Sequence, residues 1–88
     1  MKVYKIGNKG CHECTIMVPR WKKIEEEMPE LKTEYYEASE NPDLVKKYNI
    51  NEIPTFLFLD NKGNELSRLA KIQPKEKLLE EIKKHKDK

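Results

Sequence analysis

The chain has 88 residues, which bounds it to one domain. Its 18 basic and 16 acidic side chains leave a formal net charge of +2, which argues against the one-signed basic surface of a nucleic-acid binder. Charged residues reach 39%, yet the apolar 36% fall in short periodic runs, which excludes a disordered chain.

Residues 2–6, Lys-Val-Tyr-Lys-Ile, carry the β-branched and aromatic content of a strand. Gly7-Asn8-Lys9-Gly10 reads as a loop. From about Cys11 to Met28 the pattern becomes helical: Met17, Trp21, Ile24 and Met28 recur at spacings of four and three and draw one apolar stripe. Pro19 lies inside this helix and should bend it, while Pro29 marks the exit. Leu31 to Ala38, with Thr33, Tyr35 and Tyr36, reads as a second strand. Asn41-Pro42 is a helix start with Asn as the cap; the short helix runs through Tyr48, and Asn49 suits a left-handed stop. Ile53 to Leu59 is nearly all apolar, as expected of a strand buried on both faces. Asp60 to Asn64 is a turn in which Gly63 can take positive φ, and Glu65 to Ala70 completes a hairpin. Pro74 opens a last helix with a stripe of Leu78, Leu79 and Ile82.

The order β-α-β-α-β-β-α predicts an α/β fold: one four-stranded mixed sheet flanked by three helices in a single domain over residues 1–88. The first two strands are joined by a helix and should be parallel, whereas the last two, joined by a tight turn, should be antiparallel. No apolar stretch approaches the roughly 20 residues of a membrane span. The opening residues, Met1 to Gly7, hold too short an apolar run for a secretory leader, so a cytoplasmic location without membrane attachment is expected. The lysines of the tail, Lys83, Lys84, Lys86 and Lys88, read as a solvated helix end.

Both cysteines stand three apart, in Cys11-His12-Glu13-Cys14, where a strand gives way to a helix. A helix N-terminus presents unpaired N–H groups and the positive end of the helix dipole, which favour a thiolate, the nucleophilic form of the thiol. Cys11, at the start, should be the exposed attacking thiol, and Cys14, one turn in, the shielded resolving partner; the spacing puts both on one side of the first turn. His12, Glu13 and Lys9 are the candidate tuning residues around the pair. Two other readings of the same residues stand beside this one. One is a pair of inert buried thiols. The other is a soft-metal module holding Zn²⁺ or Cu(I), for which the only other histidine, His85, lies far along the chain.

Taken together, Cys11-x-x-Cys14, Met17-Val18-Pro19, Tyr48-Asn49-Ile50, Ile53-Pro54-Thr55-Phe56 and the Gly63 hairpin resemble the thioredoxin family over most of the chain, Lys2 to Ile82, in a short form of glutaredoxin size. The resemblance implies a thioredoxin-like fold and a thiol–disulfide oxidoreductase with no cofactor. It implies a cis peptide before Pro54, facing the cysteines, and a substrate segment paired along the backbone of Ile53 like an added strand. Disulfide-containing protein substrates, a thioredoxin-reductase-like flavoenzyme and a monomeric state are what it implies of partners. Ile16 and Ile53 are candidates for a docking patch. This sequence departs from the family at Gly10-Cys11-His12-Glu13-Cys14, since the usual centre is Trp-Cys-Gly-Pro-Cys and Trp21 lies in the helix stripe instead. The buried acid that assists the resolving cysteine in the family has Lys5 in its place. Glutaredoxin, the glutathione-dependent alternative, is less well matched: no Gly-Gly pair is present to grip glutathione.

Overall fold

A computed structural model describes all 88 residues. Its elements are β1 (Lys2–Gly7), α1 (His12–Glu27), β2 (Lys32–Glu37), a 3₁₀ turn (Ala38–Glu40), α2 (Pro42–Lys47), β3 (Thr55–Leu59), β4 (Glu65–Ala70) and α3 (Lys75–His85). The four strands form one sheet in the order β2-β1-β3-β4. β1 and β2 run parallel, and the β3–β4 hairpin is antiparallel, as their connections require. What the connections left open is the third pairing: β3 lies antiparallel against β1, which places both in the middle of the sheet.

That position accounts for the composition of β3. All five of its residues are buried. Phe56 and Phe58 face one way and join Val3, Met17, Trp21, Ile24, Leu78 and Ile82 under α1 and α3. Leu57 and Leu59 face the other way and meet Ile6 and Tyr48. Each such side chain, fully withdrawn from water, contributes about 1.5–3 kcal/mol before the entropy of ordering it.

Several boundaries differ from the expected ones. Gly7 belongs to β1 rather than to the loop, because it continues the parallel ladder opposite Glu37. β3 begins at Thr55 rather than Ile53: Pro54 has no N–H to give, so pairing with β1 starts one residue later, Thr55 against Ile6. α2 ends at Lys47, with Tyr48 as its C-cap and Asn49 at φ 51°, the left-handed stop expected of it. Asn41 does not cap through its side chain; its Nδ2 instead donates back to the Glu37 carbonyl at 2.8 Å. α1 continues through Pro19 to Glu27. No helix is long and apolar enough to cross a membrane.

Candidate active site

Gly10, at φ +80°, makes the turn that ends the loop, with open space around it, and Cys11 follows as the N-cap of α1. Polar caps normally use oxygen to satisfy a first-turn N–H. Here the acceptor is sulfur: the Cys14 backbone N–H donates to Cys11 Sγ at 3.2 Å. The cap is braced from below, since Thr15 donates to the Cys11 carbonyl through both its N–H (3.2 Å) and its hydroxyl (3.1 Å). The two cysteines are joined as a disulfide with Cα atoms 5.2 Å apart. Cys11 is half-exposed, whereas Cys14 is 9% exposed.

Cys14 rests on the end of β1. A side chain at Gly7 would place its Cβ 3.0 Å from Cys14 Sγ and 3.2 Å from the Tyr35 hydroxyl, so only glycine leaves room for both. The Ile53–Pro54 peptide is cis, as the resemblance implied. Pro54 is buried and lines, with Cys14, Gly7, Tyr35, Lys5 and Trp21, an open cavity of about 330 Å³ behind the disulfide. Ile53 is half-buried, and its backbone N–H makes no hydrogen bond within the chain.

Lys5 places its ammonium against Glu25 Oε2 at 2.5 Å, and Thr33 Oγ1 donates to the same oxygen at 3.0 Å. The cavity wall therefore carries a lysine–glutamate pair. On the other side, the Tyr35 hydroxyl donates to Glu37 Oε1, and the Lys9 backbone N–H donates to Glu37 Oε2 at 3.0 Å. Burial, then the bond to Glu37 and its negative charge, push the Tyr35 hydroxyl up to about 12, so it stays neutral in ordinary buffers. The Tyr35 hydroxyl in turn holds the Glu37 carboxyl below the usual carboxylate range, with help from Lys9.

Among the candidate tuning residues, His12 is exposed, and Glu13 pairs with Lys71 Nζ at 3.3 Å. Lys71 also donates from Nζ to the Ile53 carbonyl at 3.3 Å and from its N–H to the Pro54 carbonyl at 2.7 Å, tying the cysteine turn to the proline turn. Lys9 meets Glu37 through its backbone. The histidines do not come together: His85 sits on α3 beside Glu81, 3.4 Å from its carboxylate. No group of three or more His, Cys, Asp or Glu side chains gathers in a metal-ligating arrangement. Sequence reading missed Gly7, Tyr35, Glu37 and Lys71. Gly7 alone carried a signal, a glycine at a strand end just ahead of the cysteines.

A disulfide whose first sulfur caps a helix, set beside a cis-proline at the head of a mixed sheet, defines a thiol–disulfide oxidoreductase of thioredoxin-like architecture. The comparisons agree. The family model described as thioredoxin matches residues 1–86. A thioredoxin of Chlamydia pneumoniae is 31% identical over 75 residues, covering 85% of this chain and 72% of that protein. A thioredoxin of Bacillus subtilis (strain 168) is 32% identical over 76 residues, with the same coverage. In structure, thioredoxin 1 from Thermosipho africanus TCF52B superposes with a TM-score of 0.83 at 23% identity, covering 99% of this chain and 96% of that one, which bears on the fold alone. The chain belongs to the thioredoxin family and is a protein-disulfide oxidoreductase.

Proposed function

We propose that Cys11 attacks substrate disulfides, that Cys14 resolves the mixed disulfide, and that the direction is reduction of protein disulfides. The observation that carries this reading is the Cys14 N–H bond to Cys11 Sγ. In the reduced protein the same donor faces a Cys11 thiolate, and a helix N-terminus favours an anion by about 0.3–1 kcal/mol. Exposure separates the roles, because only Cys11 is open to a bulky substrate. The Cys11 thiolate attacks a substrate sulfur, and the other substrate sulfur leaves as a thiolate. Cys14 Sγ, giving up its proton, then attacks Cys11 Sγ, releasing the second substrate sulfur and closing the Cys11–Cys14 disulfide; two electrons pass from the pair to the substrate.

Ile53 and Pro54 receive the substrate. The free N–H of Ile53 supports pairing with an extended segment, and Lys71 anchors its carbonyl. His12, Glu13 and Lys9 adjust the Cys11 charge. A thioredoxin-reductase-like flavoenzyme returns the electrons, and the chain works as a single-domain monomer in the cytoplasm.

An equilibrium titration of the pair in thiol buffers, read by alkylation and mass, tests the direction. A reversible two-electron couple near about −270 mV is expected, and a value near about −120 to −180 mV would place the protein with oxidants and isomerases instead. Reduced Cys14→Ser should trap disulfide-containing substrates on Cys11; failure to trap any from a lysate prepared without reductant would overturn the assignment of roles.

A further inference from the structure

Resolution of the mixed disulfide requires Cys14 to lose a proton in a buried place. The residue that the resemblance puts beneath it, Lys5, cannot accept one while it is a cation paired with Glu25. The acceptor must come from elsewhere on the wall.

The register of the sheet points to it. β1 and β2 are parallel, with Lys5 opposite Tyr35 and Gly7 opposite Glu37. Alternation puts all four on the face that α1 covers. Gly7 contributes no side chain, and the space it leaves is filled from two directions: Cys14 Sγ lies 3.0 Å and the Tyr35 hydroxyl 3.2 Å from the same missing Cβ. That hydroxyl gives its own proton to Glu37 Oε1, which leaves its lone pairs free to accept another. Glu37 stands at the strand end, reachable by solvent, with its other oxygen held by the Lys9 N–H.

We propose that Tyr35 and Glu37 form a proton relay for the resolving cysteine, resting on the assignment of Cys14 to that step. In the mixed disulfide, Cys14 S–H donates to the Tyr35 oxygen. As Cys14 Sγ attacks Cys11 Sγ, its proton passes to that oxygen, and the proton already on Tyr35 passes to the Glu37 carboxylate. The Cys11–substrate bond breaks, and its electron pair leaves on the substrate sulfur. Glu37 then loses its proton to water, and rotation of the Tyr35 hydroxyl resets the relay. Tyr35 acts on the reacting sulfur, and Glu37 is a positioning residue that acts through it. The high tyrosine value fits this use, because Tyr35 is never left ionised but exchanges one proton for another. The other charged groups facing the site are Lys5 on β1, Lys22 and Glu25 on α1, Lys9 in the loop and Glu40 in the 3₁₀ turn.

Stopped-flow reaction of the reduced full chain with one equivalent of an aromatic disulfide (dithio-bis-nitrobenzoate) separates the steps. Its coloured thiolate is released first by Cys11 attack and again by Cys14 resolution. In Tyr35→Phe and in Glu37→Gln the first phase is expected to be unchanged. The second phase should slow by about tenfold or more at neutral pH. It should converge with the parent well above a free thiol's ordinary value of about 8.5, where Cys14 ionises unaided. The double variant should be no slower than the worse single one, since the two act as a unit. Equal second phases in parent and variants overturn the relay. Slowing that persists at every pH overturns it too, because it marks a purely structural role. So does a tenfold loss in Glu25→Gln with none in Glu37→Gln. If the parent shows no first phase, the exchange roles themselves are wrong, a failure distinct from that of the relay.

Discussion

Cys11 and Cys14 share a disulfide, but their surroundings are built from different levels of structure. Around Cys11 everything is local: the Gly10 turn, the first-turn N–H on its sulfur and the Thr15 bonds to its carbonyl all come from residues 10–15. Around Cys14 the wall is assembled across the sheet: Gly7 of β1, Tyr35 of β2 and Pro54 ahead of β3. An exposed nucleophile needs only a helix end. A buried one needs a wall, and the wall must supply both the room for its sulfur and a route for its proton.

The sharpest break in this comparison is the pair of serine variants. Cys11→Ser should abolish disulfide turnover altogether, whereas Cys14→Ser should keep the first attack and stop at the mixed disulfide, as mass spectrometry of the intact protein would show. Two glycine variants come next. Gly7→Ala pushes a methyl into Cys14 Sγ and the Tyr35 hydroxyl, so urea unfolding should show a loss of about 1–3 kcal/mol together with a slowed resolving phase. Gly10→Ala meets nothing, and its cost of about 1 kcal/mol comes from φ +80° alone, with resolution left intact. Equal effects of the two on the resolving phase would erase the distinction between the local and the distant wall.

A smaller effect is expected from pH. Tyr35 holds its proton in the fold up to about 12, against an ordinary 10 when unfolded. Between those values the folded chain binds more protons than the unfolded one, so stability falls as pH rises through that window. Glu37 has the opposite sign: its folded value is depressed, so its contribution is present above the usual carboxylate range and is lost as pH falls. Urea midpoints against pH should show the alkaline loss reduced in Tyr35→Phe and the acid loss reduced in Glu37→Gln. Smallest of all, Glu13→Gln removes an exposed pair with Lys71 and should change stability by less than about 1 kcal/mol, in a salt-dependent way. The same urea titration at low and high salt checks it.

The legibility of the molecule follows the same division. Apolar spacing placed Met17, Trp21 and Ile24 on the buried face of α1, and the all-apolar run identified β3 as a strand buried on both sides. Asn49 and Gly63 were readable because positive φ restricts residue choice. Tyr35 and Glu37 read only as parts of a strand, since nothing in a β pattern says which neighbour a side chain will meet. Lys5 was visible as a departure from the family, but its pairing with Glu25, twenty residues on, was not.

By itself, then, the sequence determined the order of elements, the cysteine at the start of a helix and the chemistry of an exposed thiol, because each depends on interactions among residues a turn or two apart. The tertiary structure decided that β3 packs against β1, that Gly7 makes room for Cys14, and that a tyrosine hydroxyl from β2 arrives at the same place. Those outcomes depend on register between strands and on packing across the sheet, where partners are set by the summed burial of the whole core.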